Sequence, residues 1–297
     1  MTKGSSRAFR LRMAKQKAEA LLRHEGITTF PVDPFAIAAS QDITVKPKPD
    51  TAEGVSGMLL RHGDAFGILY ATHIPSEGFQ RFSVGHELGH YFLDGHIDHL
   101  LPKRGVHTSR AGFVVADPYE LEADHFAVGL LMPAEPFRSA LRTYAPGVSA
   151  VEALSRLCRT SLPATAIRYA EFTEDAIAVV VSTGATIDYC VLSETMRSLP
   201  QLAWLRNGVP VPKDTGTGQF NASPDRVAAA DRCEVEIDIM NWLGGTRSVP
   251  AIEQVIGLGR YGKTLTVLTC PSIRGGASDE EEDCEGDLME RWTPRFR

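Results

Sequence analysis

The chain has 297 residues, 43% of them apolar and 23% charged, which suits a globular protein of two or three units, each able to bury a core. No apolar run reaches bilayer length, and the basic N-terminus MTKGSSRAFRLRMAKQKAEALLR lacks the apolar core and cleavage site of a secretion signal, so a cytoplasmic protein with no membrane partner is expected. Of the formal charge of −6, the stretch from Ser278 to Arg297 carries −5, so the remainder is nearly neutral and offers no global electrostatic case for nucleic-acid binding. The five cysteines, at 158, 190, 233, 270 and 284, are odd in number and show no Cys-x-x-Cys pairing, which suits reduced thiols and argues against cysteine metal ligands.

Residues 5 to 24 read as an amphipathic helix with Leu11, Ala14, Ala18, Leu21 and Leu22 on one side, closed by Gly26. Asp33-Pro34 supplies an N-cap and a proline at the first helical position for a helix over Phe35 to Ser40, and Ile43 begins strand territory. Gly57 to Arg61 and Ala65 to Ala71, joined through His62-Gly63-Asp64, form an expected antiparallel hairpin. An exposed sheet edge there would let a substrate peptide add as a further strand.

The densest chemistry lies in His86-Glu87-Leu88-Gly89-His90. A helix from Ser76 to Asp94, stopped by Gly95, sets residues four apart about 40° from each other around the axis, so both imidazoles leave one face and can grip one divalent metal. Glu87 follows the first of them, where its carboxylate can take a proton from a water held at the metal. Gly89 costs about 1 kcal/mol against alanine inside a helix, which points to close approach of another backbone.

A third ligand has several candidates. His96 copies a metzincin-like spacing, but the turn glycine of that pattern would fall at Leu93. His99 and His107 fall in a polar loop, about Ile97 to Arg110, and are expected to be exposed. The segment Tyr119 to Pro133 is helical by its stripe Ala123, Phe126, Ala127, Leu130 and Leu131, and a helical projection puts Glu120 about 50° from the stripe's centre against about 110° for Glu122. Glu120 is therefore favoured, since a buried carboxylate needs a partner, while Glu122 is expected to be exposed or salt-bridged; Glu122 and His96 stay open as alternatives. Asp124, one turn after Glu120, is placed to orient a metal-binding histidine.

His86-Glu-Leu-Gly-His90-Tyr-Phe-Leu, followed by Glu120-x-Glu-Ala-x-x-Phe-Ala-x-x-Leu-Leu-Met-Pro133, resembles the ImmA/IrrE family of zinc metallopeptidases. Pro31-Val-Asp-Pro34 and the hairpin before the helix are similar too. The resemblance spans roughly residues 10 to 140. It implies a zincin-like fold, one zinc ion on His86, His90 and Glu120, Glu87 as catalytic base, and a substrate that is typically a helix-turn-helix repressor whose cleavage induces stress-response or mobile-element genes. Other divalent ions suit such a site as well.

Beyond Pro133 a helix over Pro136 to Tyr144 is expected, then one capped at Ser149-Ala-Val-Glu152, and another over Leu162 to Phe172. The last two, with Arg156, Arg159 and Arg168, are consistent with a helix-turn-helix. From Asp175 the pattern is β: Ala176 to Ser182, Thr186 to Leu192, Cys233 to Met240, Ala251 to Leu258 and Lys263 to Cys270, with a long loop over Gly208 to Pro224. The expected fold class is α+β, divided into a peptidase domain (1–144), a helix-turn-helix-like segment (145–174), a C-terminal antiparallel domain (175–275) and an acidic disordered tail (276–297). The C-terminal domain is GAF-like only by analogy of order and size. The rival to a zinc endopeptidase is a DNA- or partner-binding regulator that uses the peptidase fold as a scaffold or metal sensor.

Overall fold

A computed structural model describes residues 3–48, 54–101, 104–110, 117–203 and 205–274, so the expected acidic tail lies outside the described residues. The chain forms two compact units. The first runs to Phe137 and takes in Ser155–Ser161; the second comprises Arg138–Leu154 and the residues from Leu162 on. Both mix helices with a sheet.

In the first unit α1 (Lys3–His24) buries Leu11, Ala14, Ala18 and Leu22, the stripe read from its 3.6-residue period. α2 (Pro34–Ser40) starts as expected: the Asp33 carboxylate accepts from the Phe35 N–H at 3.0 Å, and Pro34 occupies a position whose N–H would be idle. Then come β1 (Thr44–Pro47), β2 (Val55–His62) and β3 (Ala65–Tyr70), α3 (Glu77–Phe92), α4 (His96–Leu100), β4 (Arg104–Arg110) and α5 (Pro118–Leu131). The sheet order is β1-β3-β2-β4, with β1 parallel to β3 and the other pairs antiparallel.

This topology corrects two expectations. Neither hairpin strand is an edge, because β1 flanks β3 and β4 flanks β2. Among the described residues the edges are β1 and β4, and β4 lies where a polar loop is expected. Its alternation is Gly105, His107 and Ser109 against Val106 and Thr108, too polar to carry a hydrophobic strand signal.

α3 is capped by Ser76, whose hydroxyl accepts from the Phe79 N–H at 3.3 Å. It ends two residues before the expected Asp94. Leu93 is already extended, and Gly95, at φ +82°, precedes α4 instead of closing α3. α5 is capped by Asp117, whose carboxylate accepts from the Tyr119 N–H at 2.9 Å. Leu59, Ile68, Val84, Leu88, Phe126 and Leu130 join the α1 stripe in one core.

Gly89 is a point of close approach between α3 and α5. A Cβ there would stand 2.9 Å from Ala123 Cα and 3.1 Å from Ala123 O, so the glycine is required by a neighbouring backbone, as its position in a helix suggested. Gly89→Ala should therefore destabilise the protein by about 1–3 kcal/mol despite the better helix propensity of alanine. Thermal or denaturant unfolding reads this, and an unchanged or raised midpoint would contradict the packing argument.

α6 (Ala134–Leu141) and α7 (Val148–Cys158) follow. α7 begins one residue before the expected capping box, and its first N–H donates to Gln254 Oε1 at 2.8 Å, a cap supplied from 106 residues away. In the second unit α8 (Leu162–Phe172) packs on β5 (Asp175–Thr183) and β6 (Thr186–Leu192). After α9 (Glu194–Arg197), the expected long loop contains α10 (Gly216–Asn221) and leads into α11 (Pro224–Ala228). The start of α10 is held by the fully buried Glu253, which accepts from the N–H groups of Gly216 and Thr217 at 2.9 and 2.7 Å. β7 (Arg232–Asp238), α12 (Met240–Leu243), β8 (Pro250–Gly257) and β9 (Thr264–Arg274) complete an antiparallel sheet of order β6-β5-β9-β8-β7. Arg168, one of three basic residues read as supporting DNA contact, is buried, paired with Glu171 at 2.8 Å and stacked on Phe172. Among the described residues no helix is long and apolar enough to cross a membrane.

Candidate metal centre

His86 and His90 leave α3 one turn apart, with their Nε2 atoms 3.0 Å from each other. Glu120, in the first turn of α5, meets both: Oε2 lies 3.3 Å from His86 Nε2 and Oε1 3.3 Å from His90 Nε2. All three residues are buried, and their donor atoms lie within 4.8 Å of one another, so the group could hold a metal ion. Two imidazoles and a carboxylate suit zinc and its first-row neighbours.

Burial and neighbouring charge act differently on the three side chains. Burial opposes charge on both imidazoles. At His86 the carboxylates of Asp124 and Glu120 outweigh burial and raise the pKa well above the ordinary histidine value. At His90 burial wins and the pKa falls to about 3. Glu120 would be raised by burial, but contacts with His107, His86 and His90 hold it below the usual carboxylate range.

Glu87 is fully buried beside this group. Its Oε1 accepts from Ser109 Oγ at 2.7 Å, while Oε2 has no hydrogen-bond partner among the described residues. Burial pushes its pKa up to about 7. The carboxylate fits only because β2 carries Gly57, where a Cβ would stand 2.5 Å from Oε1.

The neighbours sort out the remaining candidates. Asp124 Oδ1 lies 2.8 Å from His86 Nδ1, the orienting contact expected from its place one turn after Glu120. His96 is buried but reaches Nδ1 of His90, away from the converging Nε2 atoms. Glu122 pairs with Arg10, as a salt-bridged residue should, and its Oε2 lies 3.3 Å from His96 Nε2. His99 is exposed and stacks on Tyr119. His107 is not a free loop residue: from edge strand β4 its Nε2 donates to Glu120 Oε1 at 2.8 Å, and its ring lies 4.6 Å from that of His90. Sequence reasoning missed the parts of His107 and Ser109. Their i, i+2 spacing on a short alternating stretch was the available signal.

Fold and centre together give a mixed helix-and-sheet unit with a buried group of three side chains that could hold a metal ion. Residues 38–169 match the family model of Peptidase_M78, described as the IrrE N-terminal-like domain. Among solved structures the chain is similar to a Mycobacterium tuberculosis transcriptional regulator, with 14% identity and a TM-score of 0.51 over 91% of this chain and 82% of that one; at such identity the likeness is one of fold. No protein of curated function matches the sequence.

Proposed function

We propose that the chain is a cytoplasmic zinc-dependent endopeptidase whose substrate is a helix-turn-helix transcriptional repressor. The observation that carries this reading is the convergence of His86, His90 and Glu120 on one point, with the unpartnered Oε2 of Glu87 buried beside it. Bound by those three residues, zinc would polarise a scissile carbonyl and acidify a water. Glu87, already raised to about 7, is suited to take that water's proton at Oε2 and pass it to the leaving amine, while Ser109 steadies Oε1. His107 adds a donor from β4, and the free edge of that strand offers backbone groups to an extended peptide. The repressor as substrate rests on the family resemblance, and the C-terminal unit is read as a sensor-like, GAF-like module that governs when cleavage occurs.

The test is cleavage of a co-encoded repressor by the full-length protein. Activity should vanish on chelation and return with stoichiometric zinc. Persistent cleavage in chelator would exclude the mechanism.

A second reading follows from the regulator with the similar fold: a DNA- or partner-binding protein in which the centre serves as scaffold or sensor. It would be favoured by salt-dependent affinity for the protein's own promoter without proteolysis. Against DNA contact through α7 and α8 stand the burial of Arg168 and the pairing of Arg159 with Glu77 at 3.0 Å.

A further inference from the structure

His90 differs from His86 in what stands behind it. His86 Nδ1 faces a carboxylate directly, at Asp124. His90 Nδ1 faces a second imidazole, Nδ1 of His96, at 3.0 Å. His96 is fully buried, and its other nitrogen, Nε2, lies 3.3 Å from Glu122 Oε2; the second oxygen of Glu122 is ion-paired with Arg10 on α1. Side-chain exposure rises outward from 0% at His96 to 13% at Glu122 and 46% at Arg10, so the series runs from the centre to the surface. The ring of Tyr119 closes the side of His96 in an edge-to-face contact at 4.9 Å.

We infer that His96 and Glu122 are positioning residues for the metal, forming with Arg10 a relay that fixes the tautomer and orientation of His90. The inference rests on the reading of His86, His90 and Glu120 as metal ligands. If Nε2 of His90 gives its lone pair to the metal, its proton must be on Nδ1. That N–H then donates to Nδ1 of His96, which must be bare. The proton of His96 is therefore on Nε2, where it donates to Glu122 Oε2, and Arg10 holds the far oxygen of that carboxylate. Every donor meets an acceptor in only one direction, so occupation of the centre selects one arrangement of protons along the whole series. Such outer contacts keep a ligand ring from rotating and raise its basicity. His96 and Glu122, each weighed as a third ligand, thus acquire a different role.

The experiment measures zinc affinity by competition with a chromogenic chelator, using the full-length protein. His96→Leu, which fills the buried space but accepts no hydrogen bond, should weaken binding about 10–100-fold. His96→Asn, whose Oδ1 can replace Nδ1 as acceptor, should recover most of that loss. Glu122→Ala should weaken binding less than His96→Leu. In the zinc-loaded wild type, long-range proton–nitrogen spectra of the imidazoles should show His90 protonated on Nδ1 and His96 on Nε2. A wild type that binds one zinc and a His96→Leu variant that binds it equally well would overturn the relay and leave the centre standing. A wild type that takes up no zinc would overturn the metal reading and the relay with it. Should His96→Leu fail to fold, the tautomers decide: a proton on Nδ1 of His96 in the zinc-loaded wild type rules the relay out.

Discussion

Glu87→Gln is expected to retain the metal while cleavage falls by about 10²–10⁴-fold or more, the range for loss of a general acid–base group. The substitution keeps size and planarity. Its amide oxygen can still accept from Ser109 Oγ, so the side chain has reason to stay where Gly57 leaves it room. The donor atoms of His86, His90 and Glu120 that could hold a metal are untouched. What is lost is the basic lone pair of Oε2, replaced by an N–H₂ group that takes no proton at working pH. Metal content by elemental analysis and cleavage followed by gel, both on the same preparation, separate the two effects. Near-wild-type cleavage by this variant would remove Glu87 from the mechanism, and loss of metal would mean that its charge supports the centre electrostatically.

The parts of this site that could be read in the sequence are those tied to helical geometry. The spacing of His86 and His90 fixes a shared face, and the stripe from Ala123 to Leu131 turns Glu120 inward and sets Asp124 one turn behind it. The cap at Asp33 stands on a local hydrogen bond to a residue two away. β4 was illegible for a physical reason. One side of the strand carries His107 and Ser109 to the carboxylates of the centre, and the other presents Val106 to solvent at 55% exposure, so no apolar alternation survives. Arg168 misleads in a related way: only the fold reveals that Glu171 and Phe172 occupy its guanidinium. The short helix α10 depends on Glu253, 36 residues from Thr217, and contacts at that separation leave no periodic trace.

The assignment of the third ligand turns on a contrast between two glutamates two residues apart. Glu120→Ala and His86→Ala are each expected to weaken metal binding by on the order of 10²–10⁴-fold, since each would remove one of the three proposed ligands, which would share a binding free energy of roughly 10–16 kcal/mol, as at a structural zinc site. Glu120→Ala also strips His107 of its acceptor and leaves His86 and His90 without the carboxylate that both now face. Glu122→Ala should do far less, because that side chain touches the centre only through His96. The expected order of loss is therefore Glu120 well above Glu122, with the Glu122 variant still metal-bound at micromolar zinc. A reversed order would make Glu122 the ligand and require α5 to turn in its first turn by about 200°, two residues at roughly 100° each, or about 160° in the opposite sense. Such a rotation would expose Glu120 and carry Asp124 away from His86 Nδ1, breaking the 2.8 Å contact that now orients the ring. Titration of the two variants with zinc, side by side with His86→Ala, distinguishes the two arrangements without any knowledge of the substrate.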